Sequence, residues 1–169
     1  MKILSFSPFG YEGALVTVEV DLRRGIPAID MVGLADGAVR ESRERMRAAI
    51  RNSGFDFPQD RVLISLSPAD VKKEGAGFDL AIALAVLLAG VDAPPEDSAP
   101  ILVMGELELS GGTRPVRGVH AAVSSALEQG IIRCIVPGAN ARAARSCGMG
   151  VCGAFTLREA FEACFDPAR

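Results

Sequence analysis

The sequence has no tryptophan, one tyrosine and one histidine in 169 residues. Aromatic residues make up 5% of it, too few for the stacking platform on which proteins hold single-stranded bases. No Gly-Lys dipeptide occurs. A Walker A loop is therefore excluded, and with it ATP binding of the P-loop kind by this segment. The four cysteines, Cys134, Cys147, Cys152 and Cys164, form no Cys-x-x-Cys pair. With a single histidine beside them they do not compose a zinc site, and no metal or other cofactor is expected here. Buried free thiols in a cytoplasmic protein are the expectation. The longest apolar run, Leu80 to Ala89, is far short of the roughly 18 to 20 residues that cross a bilayer. The first residues carry one lysine and no long apolar stretch, so neither a signal peptide nor a membrane partner is expected. The net charge of -3 gives no bulk attraction to nucleic acid and leaves room for a local basic patch.

What is present is hydrophobic. With 49% apolar residues the chain is long enough to bury a sizeable core as one domain. It is organised around Ser67 to Gly90. Ser67 to Gly77 is a charged, glycine-punctuated loop holding Lys72, Lys73 and Glu74. Asp79 to Ala89 is apolar on every side apart from Asp79, and its alanines and leucines favour helix. A helix without a polar face is buried on most of its circumference, and Asp79 suits the positive end of its dipole. The loop reads either as a flexible site element or as a solvated connector.

Strands are expected at Lys2–Phe6, Leu15–Leu22, Ala28–Val32, Arg61–Leu66, Ile101–Leu109, Ile131–Val136 and Gly150–Ala154. Gly10–Gly13 makes a hairpin of the first two. The second alternates apolar and polar residues, the mark of a half-exposed sheet. Helices are expected at Asp36–Ser53, Val119–Gln129, Ala139–Ser146 and Leu157–Phe165, with a proline-rich loop over Asp92–Pro100. Strands first, then alternating strand and helix, predict an α/β two-layer domain with a mixed sheet.

Asp36–Ser53 is the clearest amphipathic helix, with Asp36 as N-cap and Gly54 as its stop. Val39, Met46 and Ile50 share one side. Arg40, Arg47 and Arg51 share an arc on another, with Arg43 at its border. Glu41 and Glu44 stand at ion-pairing distance along the helix. The arc reads as a solvated face or as a contact surface for DNA or a neighbouring subunit, and Lys72 and Lys73 join it as candidate contacts. His120 stands on the first turn of a helix, where a structural role and a role as base to a nucleophile are both open. The Gly75–Gly77 and Gly111–Gly112 turns match no complete dinucleotide fingerprint.

Val18-Glu19-Val20, Gly25-Ile26-Pro27-Ala28, Val32-Gly33-Leu34-Ala35-Asp36, Ala38 to Arg45, Asn52-Ser53-Gly54-Phe55, Lys73-Glu74-Gly75, Phe78-Asp79-Leu80 and Gly105-Glu106-Leu107 occur in this order. Together they resemble the N-terminal domain of the magnesium chelatase-like ComM/YifB family of AAA+ ATPases, nearly from end to end. The resemblance implies a Lon protease-like, ribosomal S5 domain 2-like fold. It also implies a single Lon-like domain over residues 1–169 in a longer parent. An ATPase domain holding ATP and Mg would follow Arg169, with Asp166–Arg169 as the start of a linker. The partners implied are that ATPase domain, neighbouring subunits of a hexameric ring, and DNA during branch migration. Phe78 to Ala83 is also similar to the corresponding module of the RadA recombination protein. Against the Lon pattern, the nucleophilic serine falls on Gly77 and the catalytic lysine on His120, so both dyad positions are replaced. The expectation is a non-catalytic assembly or binding domain. The alternatives are a divergent Lon-type peptidase using Ser67 or Ser110, or an accessory domain of a magnesium chelatase.

Overall fold

A computed structural model describes residues 1–8, 13–97, 99–166 and 168. Nine strands and five helices follow in the order β1 (Ile3–Ser7), β2 (Ala14–Arg23), β3 (Ala28–Val32), α1 (Gly37–Asn52), β4 (Arg61–Ser67), α2 (Asp79–Ala89), β5 (Ile101–Val103), β6 (Glu106–Leu107), β7 (Thr113–Arg114), α3 (Val119–Glu128), β8 (Arg133–Pro137), α4 (Ala141–Arg145), β9 (Gly150–Ala154) and α5 (Leu157–Phe165). Seven strands form one mixed sheet in the order β3-β4-β2-β1-β5-β8-β9. β2 runs antiparallel to both β1 and β4, and the remaining pairs are parallel. The expected α/β fold with a mixed sheet is thus what forms. The expected hairpin pairs Ser7 with Ala14; its turn at Gly10 lies outside the described residues, as do Pro167 and Arg169 of the expected linker.

The strand alternation decides the layers. Ile3, Val16, Val18, Val62, Ile64, Leu66, Ile101, Val103 and Ile135 point to one face, where they pack with α1, α2 and α5. Leu4, Phe6, Leu102, Cys134 and Val136 point to the other, where α3 and α4 cover them. That second cover spans only one end of the sheet. Over β2 and β4 the outer face carries Glu19, Asp21 and Ser65, and there the molecule has two layers. α2 is the centre of the main core: Leu80 to Leu87 are buried and Leu88 is half-buried. Among the described residues no helix is long and apolar enough to cross a membrane.

The amphipathic helix forms as its sequence dictates. The Asp36 carboxylate accepts the Val39 amide at 2.7 Å, and Val39, Met46 and Ile50 are fully buried. Two expectations need correction. The strand expected over Ile101–Leu109 breaks after Val103, and Glu106–Leu107 joins Thr113–Arg114 in a separate two-stranded ribbon. The cause is Gly105: its amide donates to the Gly77 carbonyl at 3.0 Å and its carbonyl accepts from Leu80 at 3.0 Å. A Cβ on Gly105 would stand 3.0 Å from Leu80 Cδ2, a tight contact that glycine avoids where this backbone crosses the start of α2. The helix expected over Ala139–Ser146 opens as a 3-10 turn, Gly138–Asn140, before α4.

Candidate functional site

The loop before α2 is tied down at both ends. Lys73 donates its amide to the Leu34 carbonyl at 3.1 Å, and its own carbonyl accepts the Asp36 amide at 3.1 Å. Asp36 caps α1 with one carboxylate oxygen and accepts from Gly75 at 3.4 Å with the other. Ser7, buried at the end of β1, donates to the Lys72 carbonyl at 3.2 Å and accepts from Glu74 at 3.3 Å. Gly33 permits the approach: it adopts φ +113°, and a Cβ there would lie 2.0 Å from the Leu66 carbonyl oxygen. The Val-Gly-Leu-x-Asp and Lys-Glu-Gly segments are therefore two sides of one backbone clasp.

The candidate contact residues separate accordingly. Lys73 is fully buried and its ammonium donates to the Pro68 carbonyl. Burial pushes that ammonium below its ordinary value, with Asp70 opposing the shift. Lys72 is exposed and pairs with Glu74 at 3.3 Å. Arg40 and Arg51 are exposed. Arg43 donates to the carbonyls of Arg40 and Ile29, and Arg47 lies over the Phe57 ring at 5.5 Å. Arg43 and Arg47 line a cleft of about 220 Å³ with Pro27, Phe57, Pro58 and Asp60. The structure brings these two together, holds Arg40 and Arg51 on the open side of the helix, and withdraws Lys73.

Sequence reasoning missed the groups that the fold gathers most tightly. Asp79 is fully buried. Its carboxylate accepts from Ser42 Oγ, from Arg45 Nε at 2.7 Å and Nη2 at 3.1 Å, and from the Leu107 amide at 3.0 Å. Arg45 also donates to the Ala38 carbonyl at 3.0 Å and reaches Glu41 at 3.6 Å. The hydrogen bonds to Asp79 raise the Arg45 guanidinium above its ordinary value, against its partial desolvation. A buried carboxylate with a two-pronged guanidinium and two further donors has its charge and lone pairs satisfied. This knot joins α1, the first turn of α2 and β6. Part of the signal was available: a carboxylate opening a helix without a polar face needs buried donors, and Ser42 and Arg45 stand one turn apart on the arginine-rich α1.

Gly77 lines a cavity of about 300 Å³ with Phe6, Pro8, Glu74, Gly75, Ala76, Met104, Glu106, Pro115, Val116 and Arg117. Among the described lining residues there is no hydroxyl, thiol, amine or imidazole side chain. His120 is not among them either. Its Nδ1 stands 3.2 Å from Cys147 Sγ, just after α4. Ser110 donates to Glu108 Oε2 at 3.4 Å, and Ser67 ends β4. A cavity of about 760 Å³ lies between the start of β1, residues of β2 and β4, the C-terminal half of α2 (Ala85, Leu88, Ala89) and Pro94–Pro95; none of the candidate site residues lines it. The thiol expectation also needs correction: Cys134 and Cys164 are buried, whereas Cys147 and Cys152 are half-exposed, and none of the four is in a disulfide. The reason is position, since Cys147 follows α4 and Cys152 lies on the edge strand β9.

Compared with known proteins, residues 18–140 match the family model described as subunit ChlI of Mg-chelatase. An uncharacterised protein of Mycobacterium tuberculosis is 42% identical over 139 residues, covering 82% of this chain and 28% of that protein. YifB of Escherichia coli is 42% identical over 119 residues, 70% of this chain and 23% of YifB. The competence protein ComM of Haemophilus influenzae is 37% identical over 124 residues, 73% of this chain and 24% of ComM. The chain thus spans about a quarter of the length of the curated relatives it matches. The clasp of Leu34 and Asp36 on Lys73, and the knot of Ser42 and Arg45 on Asp79, fall inside the matched region and on the segments that carry the resemblance. The chain belongs to the family of the Mg-chelatase subunit ChlI, as the N-terminal domain of its ComM/YifB members.

Proposed function

We infer that this chain is a non-catalytic assembly and binding domain of a ComM-like AAA+ ATPase. In this reading the parent protein holds ATP and Mg on a separate ATPase domain and assembles as a hexameric ring in the cytoplasm. It acts in DNA processing, such as branch migration during recombination or transformation. The observation that carries the non-catalytic part is the cavity at Gly77. A Ser-Lys dyad needs a hydroxyl and a nearby amine as its base. Gly77 supplies no attacking atom, and His120, at the other replaced position, is turned to Cys147.

The binding part rests on Arg40 and Arg51, eleven residues apart on one face of α1 and both exposed. In the full-length parent, Arg40→Gln with Arg51→Gln should weaken DNA binding about tenfold, with a shallower dependence on salt, or block ring assembly. Fluorescence anisotropy and sedimentation read the two outcomes. Adding Arg47→Gln should deepen the loss and also loosen the packing on Phe57. Unchanged binding and assembly in the double variant would make the arc a solvated face.

A second reading, a divergent Lon-type peptidase, draws on the same cavity, which keeps apolar walls and the Gly75–Gly77 backbone. Against it, purified domain incubated with unfolded protein and a serine-reactive phosphonate should give neither peptides nor a covalent adduct. Products that vanish on Ser67→Ala or Ser110→Ala would establish the enzyme instead.

A further inference from the structure

The four thiols are chemically unequal. Cys134 in β8 and Cys164 in α5 are buried, and burial pushes both up to about 12. They are covered, protonated and inert at neutral pH. Cys147 differs in surroundings and in partner. It is half-exposed after α4, with Sγ 3.2 Å from His120 Nδ1 and 3.7 Å from the Ala143 carbonyl oxygen. His120 is exposed and is the sole histidine of the chain. It stands on the first turn of α3, a ten-residue helix whose N-cap, Gly118, offers no side-chain acceptor.

A thiol attacks only as thiolate, and a neighbouring imidazole or a helix N-terminus raises the thiolate fraction. The imidazole is here. A neutral imidazole with an unprotonated Nδ1 accepts the S–H proton at this distance, in place of the Ala143 carbonyl to which Sγ otherwise donates. The geometry points to Cys147 as a site of reversible thiol modification by low-molecular-weight disulfides, with His120 as the base that takes its proton.

The exchange balances without a further reactant. The Cys147 proton passes to His120 Nδ1, and the thiolate attacks one sulfur of the disulfide. A new S–S bond forms to Cys147 Sγ as the old one breaks. The departing thiolate takes the proton from the imidazolium. Cys147 is oxidised to a mixed disulfide and one half of the reagent is reduced to a thiol. The adduct would sit at the junction of α3 and α4, on the face of the sheet opposite α1, leaving the arginine arc clear.

The test uses the 169-residue chain and glutathione disulfide at neutral pH, followed by intact mass and peptide mapping. The first adduct should form on Cys147, and Cys147→Ser should abolish that fast phase while Cys152→Ser leaves it. His120→Gln should slow it about tenfold with an unchanged melting temperature. As a check free of any variant, Cys147 in the folded chain should react faster than Cys147 in the urea-unfolded chain, where only ordinary thiol chemistry remains. A first adduct on Cys152, a His120→Gln rate equal to the wild type, or a folded rate at or below the unfolded one would each overturn the assignment.

Discussion

Asp79→Ala should destabilise the domain by about 3–5 kcal/mol in urea unfolding followed by circular dichroism, the range for breaking a buried ion pair by removing one partner. The substitution takes away the acceptor of Ser42, Arg45 and the Leu107 amide together. A guanidinium and a backbone donor are left to find water in a packed junction. Arg45→Met is the sharper arm, because it leaves the carboxylate, which is fully buried, without its cation. Its loss should match or exceed that of Asp79→Ala. The double variant Asp79→Leu, Arg45→Met should recover much of the loss, since an apolar replacement of a buried pair is often neutral. Two singles within about 0.5 kcal/mol of wild type, the scale of ordinary surface changes, would mean that the knot does not hold α1 to α2.

Leu84→Ala comes next in size. Leu84 sits at the middle of α2 and is fully buried. Truncation removes its apolar surface and leaves a cavity between α2 and the sheet, and such changes cost about 2–5 kcal/mol. Leu88→Ala, one turn further along on the half-buried end of α2, should cost clearly less. A Leu84→Ala loss below about 0.5 kcal/mol, or equal losses at the two positions, would show that α2 is not central.

These two predictions differ in where they come from. The burial of α2 was legible from residues alone: an Ala- and Leu-rich run with no polar face has one stable destination, whatever surrounds it. The same holds for α1, whose cap and apolar spacing act within a few residues, and for β2, whose alternation sets its two faces. Local sequence also excluded a P-loop. The sequence showed that Asp79 needs buried partners, but not that α1 and β6 supply them, because Arg45 and Leu107 stand 34 and 28 residues away.

The candidate site shows the same division. Helical spacing placed Arg40, Arg47 and Arg51 on one arc, and that geometry holds. Which of them stays open to a partner was decided by β3 and the 57–60 segment, which engage Arg43 and Arg47 and leave Arg40 and Arg51 exposed. Lys72 and Lys73 are neighbours of one charge in the sequence, yet one is exposed and the other buried, because the backbone clasp with Leu34 and Asp36 fixes alternate directions for adjacent side chains. His120 was legible as a lone histidine on a helix; its partner Cys147, 27 residues on, comes only with the packing of α3 beside α4. Composition and short-range periodicity determined the elements, their buried faces and the fold class. Side-chain pairing across distant segments was left to tertiary structure, because hydrogen bonds and ion pairs form between atoms brought within about 3 Å, a proximity that sequence separation does not encode.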